Sequence, residues 1–145
     1  LENSQLYQAN LSSANLISTD FSFAKLREAN IKMARLDYAD LRNADLFGAE
    51  MVGANLFEAN LERANLDRAN LSKANLFRAN LVGATFLESN LEGVEIDEAK
   101  VGIIGEHWFD ILETWNVKGI SEIRQKYRVN QNGLIILRKE YIQRM

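Results

Sequence analysis

Few residues in this 145-residue chain have the types and spacing that catalysis requires. The single histidine, His107, lies between Glu106 and Trp108, and a lone histidine beside acidic residues is typical of a solvated or capping residue. Cysteine is absent, which excludes disulfides, thiol chemistry and cysteine metal sites. The sequence has no glycine-rich phosphate loop and no nucleophile motif. We therefore expect a protein that is not an enzyme and that uses no cofactor or metal.

The chain instead repeats every five residues over its first hundred positions. A large apolar residue recurs at each fifth position without a slip, and a small residue, usually alanine, lies two positions before it. The residue between these two is polar and is most often asparagine. The apolar column consists of Leu1, Leu6, Leu11, Leu16, Phe21, Leu26, Ile31, Leu36, Leu41, Leu46, Met51, Leu56, Leu61, Leu66, Leu71, Leu76, Leu81, Phe86, Leu91 and Ile96.

A period of five suits neither an α-helix nor a flat β-strand. On an α-helix the leucines would spiral around the cylinder, and on a strand successive leucines would alternate between the two faces. Every leucine is buried only if the chain turns a corner once per repeat, so that four repeats close a square coil of twenty residues. The apolar and the small residue of each repeat then point inward. Five coils at the usual strand spacing of about 4.8 Å make a column about 24 Å tall.

The repeat motif resembles that of the pentapeptide repeat family. The pattern is alanine, then asparagine or aspartate, then leucine, then two variable residues, as at 54–58 and 64–68. The resemblance covers about residues 1–100 and implies the right-handed quadrilateral β-helix of that family. We expect an all-β solenoid of about five coils over 1–100 and an α-helical C-terminal cap or dimerisation segment over 101–145.

The last coil of such a column needs a cover, because it would otherwise expose its core and its unpaired backbone. Trp108, Leu112 and Trp115 recur at helical spacing, which predicts a short amphipathic helix that begins after Gly105. We expect these three residues either to cover the last coil or to contact a second copy of the chain. Some members of the pentapeptide repeat family pair through C-terminal helices, so the resemblance permits a homodimer.

The remainder of the C-terminal segment predicts further short elements. Residues 119–129 indicate a second helix with Ile120, Ile123 and Tyr127 on one side. The polar run that follows, which contains a glycine, predicts a turn. Residues 134–143 fit either a strand over their first four positions or a third helix.

Any specificity must lie on the outward residues, because the interior of the column is filled. Residues twenty positions apart should stack on one face of successive coils. Ile17, Phe57 and Phe77 belong to one outward column, and Tyr38 lies beside it. We predict that Phe57 and Phe77 stack, and that these four residues form a contact site for a protein partner. The alternative is that the stacked rings only shield the backbone and each other.

The best-known activity in the pentapeptide repeat family is protection of DNA gyrase by members that mimic the DNA duplex. This resemblance implies an alternative function as a DNA-mimicking inhibitor or protector of a type II topoisomerase. Such mimicry requires a sustained acidic face. Here residues 1–100 contain fifteen acidic and ten basic residues, and the acids do not align.

Composition indicates the class of partner and the compartment. The net charge of −3 favours neither nucleic acid nor an anionic membrane, and no run of eighteen apolar residues is present. We therefore expect a protein partner, whose identity the sequence does not give. The absence of cysteine suits the reducing cytoplasm, and no signal peptide is recognisable. The chain begins at Leu1, already within the repeat, so a preceding targeting signal could have been lost.

Overall fold

The computed structural model of the protein describes residues 1–102 and 107–138. Over the first hundred residues the backbone winds into stacked coils of twenty residues. Parallel bridges join residues of the polar column to residues twenty positions later, from the pair Gln5 and Lys25 to the pair Asn80 and Lys100. The five coils and the twenty-residue period predicted from the repeat are confirmed.

The backbone hydrogen bonds of one repeat explain how the coils are held together. The N–H of Leu56 donates to the Asn75 carbonyl of the next coil at 2.8 Å. The N–H of Glu58 donates to the carbonyl of Phe77, which also lies in the next coil, at 3.0 Å. The N–H of Ala59 turns back to the Leu56 carbonyl at 3.0 Å and closes the corner.

Where the residue between the two inward columns is asparagine or aspartate, its side chain accepts a hydrogen bond from the N–H group that these bonds leave over. Oδ1 of Asn55 accepts a hydrogen bond from the Phe57 N–H at 3.3 Å, which stabilises the corner. The same Oδ1 accepts a bond from Nδ2 of Asn75 in the next coil at 3.0 Å. The asparagine columns are therefore structural ladders. Where Thr85 replaces asparagine, the N–H of residue 87 donates instead to Oδ1 of Asp67 in the preceding coil.

The second variable residue of each repeat has a left-handed backbone conformation. In this column φ runs from 52° at Glu58 to 72° at Gly83. A type II turn requires a positive φ at its third residue, and β-branched residues adopt that conformation poorly. Valine, isoleucine and threonine are absent from this column over residues 1–100. Four glycines occupy it, Gly48, Gly53, Gly83 and Gly93.

The interior is filled by the two inward columns. From Phe21 to Ile96 every residue of the apolar column is at most 1% exposed. Ala64 has no exposed surface, which confirms that the small residue points inward. The first coil differs, because its leucines at positions 6, 11 and 16 are only partly buried and Leu1 is 58% exposed.

Two helices and two short strands follow the last coil. They are α1 (His107–Thr114), α2 (Ile120–Lys126), β1 (Tyr127–Val129) and β2 (Ile135–Leu137). Strands β1 and β2 pair antiparallel. The described part of the C-terminal segment is therefore a mixed α/β unit, and the α-helical cap expected over 101–145 is not confirmed, because two helices are followed there by two strands.

The predicted second helix over 119–129 is wrong in its last turn. Helix α2 ends at Lys126, and Tyr127 begins β1. Tyr127–Val129 alternates buried, exposed and buried residues, which is the pattern of a strand with one covered face. The pairing with β2 supplies these residues with long-range hydrogen bonds in place of a further helical turn.

The turn predicted after residue 129 is confirmed, since it connects β1 to β2. Of the two alternatives for 134–143, the strand is observed over Ile135–Leu137. Residues 139–143 lie outside the described part of the chain.

Backbone hydrogen bonds join the C-terminal segment to several sides of the last coil. On one side the N–H of Glu88 donates to the Trp115 carbonyl at 2.8 Å. On another, the N–H of Glu98 donates to the Ile135 carbonyl at 2.6 Å, and the N–H of Ile135 donates to the Ala99 carbonyl at 2.8 Å. These bonds pair backbone groups that a further coil would otherwise pair.

Candidate functional site

Three of the four residues predicted to form a contact site lie together on one side of the β-helix. The rings of Phe57 and Phe77 stack with centroids 5.8 Å apart and planes at 13°. Tyr38 stands edge-on to Phe57 at 5.4 Å and 81°, and 53% of its surface is exposed. Ile17 is 36% exposed but lies in the first coil, with the Asp37 position between it and Phe57.

This side, which we call the aromatic face, carries most of the net negative charge of the repeats. Its outward residues include five acids and two bases, a net charge of −3, whereas the other three sides together have ten acids and eight bases. This difference in net charge comes from residues at intervals of twenty positions, which stack on the same side, and not from a run of acidic residues in the sequence. The aromatic face consists of Asn15, Arg35, Asn55, Asn75, Glu95, Ile17, Asp37, Phe57, Phe77, Asp97, Ser18, Tyr38, Glu58, Arg78 and Glu98.

Arg78 divides the acidic residues of the aromatic face. Its Nε donates to Oε2 of Glu98 at 2.6 Å, and its Nη1 lies 3.5 Å from Oε1 of Glu58. The hydrogen bond that Arg78 donates to Glu98 is the largest cause of the raised pKa of Arg78. The guanidinium also lies over the ring of Phe77, 5.0 Å from its centroid. The face is therefore a mixed ion-pair ladder and not an unbroken acidic stripe.

Asp37 is held against the base of the aromatic cluster. Its Oδ1 accepts a hydrogen bond from Nδ2 of Asn55 at 2.6 Å. Its Oδ2 is buried and makes no hydrogen bond with the described residues, and Nε of Arg35 lies 3.8 Å away. A carboxylate with one unsatisfied oxygen places negative charge beside Tyr38 and Phe57.

A second aromatic position, on another side of the β-helix, was not predicted. The guanidinium of Arg27 lies 4.3 Å from the centroid of the Phe47 ring, and that of Arg68 lies 5.5 Å from it. Nη1 of Arg27 also pairs with Oδ2 of Asp45 at 3.3 Å. Arg27 and Phe47 are twenty positions apart. The twenty-residue period that places Phe57 on Phe77 therefore also places Arg27 next to Phe47.

The candidate C-terminal contacts divide into two buried residues and one partly exposed residue. Trp108 is 4% exposed and meets Phe86 of the last coil edge-on at 6.4 Å, while Leu112 has no exposed surface. Trp115 follows the end of α1 and is partly exposed. It lines a crevice of about 250 Å³ between α1 and the last coil, whose described lining includes Ile111 and no titratable side chain.

His107 begins α1 and is largely exposed to solvent. Its side chain is 83% exposed, and its Nδ1 lies 3.8 Å from Oδ2 of Asp110. Over residues 1–102 and 107–138, no cluster of three or more histidines, aspartates or glutamates is placed to hold a metal ion. In the same residues no helix has the length and apolar character needed to cross a bilayer.

Stacked coils of twenty residues with a filled interior define the class of protein as a β-solenoid. The chain belongs to the pentapeptide repeat family, because the family model for pentapeptide repeats matches residues 1–32, 32–63 and 54–93 in eight copies. Members of this family fold as right-handed quadrilateral β-helices, which agrees with the architecture expected from the resemblance.

A solved structure supports the same assignment. The pentapeptide repeat protein Rfr23 from the cyanobacterium Cyanothece 51142 is 40% identical, with a TM-score of 0.60, over 60% of this chain. The match spans only 59% of the Rfr23 chain. A pentapeptide repeat protein from the thylakoid lumen of Arabidopsis thaliana is 34% identical over 77% of this chain and 75% of its own, with a TM-score of 0.41.

The fluoroquinolone resistance protein QnrB1 is a more distant match. Its full-length structure is 21% identical over 68% of this chain and 63% of its own, with a TM-score of 0.33. At this distance the likeness says nothing about function. None of the curated proteins compared with the chain matches it.

Proposed function

We propose that this chain is a non-enzymatic interaction module whose aromatic face binds a partner protein. The observation that carries the proposal is the cluster of Tyr38, Phe57 and Phe77. Ile17, which lies beyond Asp37 in the same column, is proposed as a further contact of the partner. Aromatic side chains dominate the contact energy of many protein interfaces. The net charge of −3 on the aromatic face supports a partner surface that combines apolar and basic groups.

The filled interior supports a non-enzymatic role. The inward columns leave no exposed surface at residues such as Leu61 and Ala64, so the coils contain no space for a substrate. The carboxylates of the described coils point outward, and many of them pair with arginines or lysines of neighbouring positions. Acid–base catalysis depends on enclosed groups with tuned pKa values, and this surface offers none of that enclosure.

Capture of partners from a cell extract, with two matched double variants, tests the proposal. The variant F57S/F77S removes the stacked pair, and F23S/M33S removes two exposed apolar side chains from the other sides of the β-helix. We expect the first to lose the partners that the wild-type chain captures, because the contact area is gone, and the second to retain them. Circular dichroism checks that both variants keep the fold.

Equal capture by the wild-type chain and by F57S/F77S would overturn the proposal. Equal loss of partner capture in both double variants would overturn it as well, because the loss would then result from any increase in surface polarity. Titration of the captured protein against the purified variants gives the affinity difference directly.

We infer further that residues 1–100 form the interaction domain and that 101–145 act as a lid on it. The burial of Trp108 and Leu112 against the last coil supports the lid, because buried side chains are not available to a second subunit. The alternative, a homodimer through Trp115 and its surroundings, predicts twice the mass of 16.5 kDa in light scattering. A monomer at high concentration supports the lid, and a dimer lost on W115S supports the alternative.

The alternative function at a type II topoisomerase has one observation in its favour, the excess of acidic residues on the aromatic face. Arg78 and Arg35 interrupt these acids, which weakens the likeness to a row of phosphates. A gyrase supercoiling assay with the purified chain separates the two functions. Inhibition or protection by the chain supports the topoisomerase function, and no effect leaves the partner-binding function as proposed.

A further inference from the structure

We propose that the Tyr38–Phe57 pair, flanked by Glu58 and Asp37, receives an arginine side chain of the partner protein. This inference rests on the proposed function and specifies the chemistry of the bound surface. The argument comes from a comparison within the molecule, between aromatic rings that have a guanidinium on them and a pair that has none.

The chain twice covers an outward ring with an arginine that is itself held by a carboxylate. Arg27 lies 4.3 Å from the centroid of Phe47 and pairs with Asp45 at 3.3 Å. Arg78 lies 5.0 Å from the centroid of Phe77 and pairs with Glu98 at 2.6 Å. The surface therefore uses one arrangement repeatedly, in which a ring, a guanidinium and a carboxylate lie together.

The Tyr38–Phe57 pair has the ring and the carboxylates but lacks the cation. Within residues 1–102 and 107–138, no arginine or lysine lies over the ring of Tyr38 or Phe57. The Tyr38 ring is half exposed, so one of its sides is open to a partner. Arg78, the nearest base above, is engaged with Phe77.

Glu58 is the carboxylate that a partner cation would meet. It occupies the same column as Tyr38, one coil further along. Its ion pair with Arg78 is long, at 3.5 Å, because Arg78 donates its short hydrogen bond to Glu98. The exchange of that long contact for a direct one costs little.

Asp37 contributes charge and not direct contact. Its Oδ2 is buried and lies 3.8 Å from Nε of Arg35, so a partner group does not reach it, and it accepts no hydrogen bond among the described residues. A cation held over Tyr38 would lower the electrostatic cost of that buried oxygen. The site therefore combines an open ring with negative charge on two sides.

The geometry favours arginine over lysine. A guanidinium is planar and weakly hydrated, so it stacks on a ring and donates two parallel hydrogen bonds to a carboxylate at the same time. An ammonium is a strongly hydrated point charge. It can lie over a ring, as Nζ of Lys126 lies 5.0 Å from the Tyr127 centroid, but it has no flat face to stack and no pair of parallel donors for a carboxylate.

Titration of the full chain with a short peptide tests the inference by ¹H–¹⁵N NMR. The probe is an acetylated, amidated peptide of alternating leucine and arginine, and its matched control replaces each arginine with citrulline, which has the same shape without the charge. We expect shifts centred on the amides of Tyr38, Phe57 and Glu58, and an affinity about tenfold lower for the citrulline peptide. Equal affinity for the two peptides, or shifts elsewhere, would overturn the inference.

Two variants locate the effect. E58Q should weaken the arginine peptide about fivefold and leave the citrulline peptide unchanged, because only the charge pair is lost. The matched control E62Q removes an exposed carboxylate from another side of the β-helix and should change nothing. If E58Q and E62Q behave alike, the arginine site is wrong.

The inference and the proposed function fail in different ways. If F57S/F77S loses the captured partner while Y38A and E58Q retain it, the aromatic face binds a partner but not through an arginine at this site. If all of these variants retain the partner, the proposed function itself is wrong. If the chain associates with itself and Y38A prevents this, the occupant is a second copy, and the partner protein is excluded.

Discussion

The two ends of the β-helix bury the same kind of side chain to different extents. In the first coil Leu6, Leu11 and Leu16 are only partly buried, because none of the described residues stacks beneath them. We call this side of the first coil the open end of the described coils. In the last coil Phe86 and Leu91 have no exposed surface, because α1 and the segment after it lie over them. One sequence motif therefore gives two levels of burial, according to what stacks on it.

The difference shows that a repeat of this kind does not carry its own stability. Each coil gains its burial and its backbone hydrogen bonds from the coils on either side, as in other solenoids. The end coils depend on whatever replaces the missing neighbour. At the C-terminal end that replacement is visible as hydrogen bonds to Trp115 and Ile135.

The largest effect is expected from truncation of an inward residue at the covered end. F86A removes a fully buried ring that contacts Trp108, and we expect it to lower the free energy of unfolding by about 3–5 kcal/mol. The matched variant L6A lies at the open end, where the leucine is already partly solvated, and should lower it by less than about 1 kcal/mol. Chemical denaturation of both variants measures the difference. Similar losses in the two variants would mean that the two ends are equivalent.

A smaller and more local effect is expected where the C-terminal segment crosses the last coil. Gly119 has a φ of +83°, and a Cβ at this position would lie 2.7 Å from the backbone N of Glu92. G119A should therefore push the segment off the coil and lower the free energy of unfolding by about 1–3 kcal/mol. Tryptophan fluorescence should shift to the red, because Trp108 loses its cover.

The variant G93A is the control for this prediction. Gly93 also has a positive φ, +67°, but a Cβ there would lie 3.5 Å from Cγ of Lys73, which is an ordinary contact. It carries the backbone strain without the collision. If G93A and G119A change the fluorescence equally, strain and not the close approach is the cause.

The smallest effect is expected from acid at the open end. Oδ1 of Asp20 accepts hydrogen bonds from the hydroxyl and the N–H of Ser22, and these bonds hold the pKa of Asp20 below its ordinary value of 3.8. A lowered pKa means that the carboxylate stabilises the fold fully above that ordinary value and loses the effect as the pH falls through the lowered pKa. We expect amide exchange at Ser22 to accelerate by a factor of a few in that range, relative to Leu91.

In D20N the asparagine keeps the acceptor and removes the titration, so the acid-dependent part of the exchange at Ser22 should disappear. Hydrogen exchange followed by NMR measures both amides in one sample. An equal acceleration at Leu91 would assign the effect to global acid unfolding and not to the open end.

Much of the β-helix could be predicted from the sequence, because the period of five leaves one way to bury every leucine. The same arithmetic placed Phe57 on Phe77, and the two rings stack at 5.8 Å. The four glycines of the left-handed column also lie in one register, and this spacing marks the turn position at which φ is positive. These features depend only on register along the chain.

The parts that could not be predicted depend on contacts between distant residues or on side-chain conformation. Tyr127 fits a helix face with Ile120 and Ile123, and only its pairing with Leu137 makes it a strand residue. The position of Arg78 over Phe77 depends on several side-chain torsions, which no column fixes. The sequence predicts that Tyr38, Phe57 and Phe77 lie together, but it does not predict that the rings of Tyr38 and Phe57 lack a cation over them.

The left-handed column has a consequence for how this surface can change over generations. At these positions the backbone excludes branched side chains but tolerates glycine, arginine, glutamate and tyrosine alike. The side chains of this column point away from the packed interior, so most substitutions among these residue types leave the backbone of the β-helix unaltered. The inward residues therefore determine the fold, and the outward residues determine the binding surface. One outward face can evolve a new binding specificity while the packed interior stays the same.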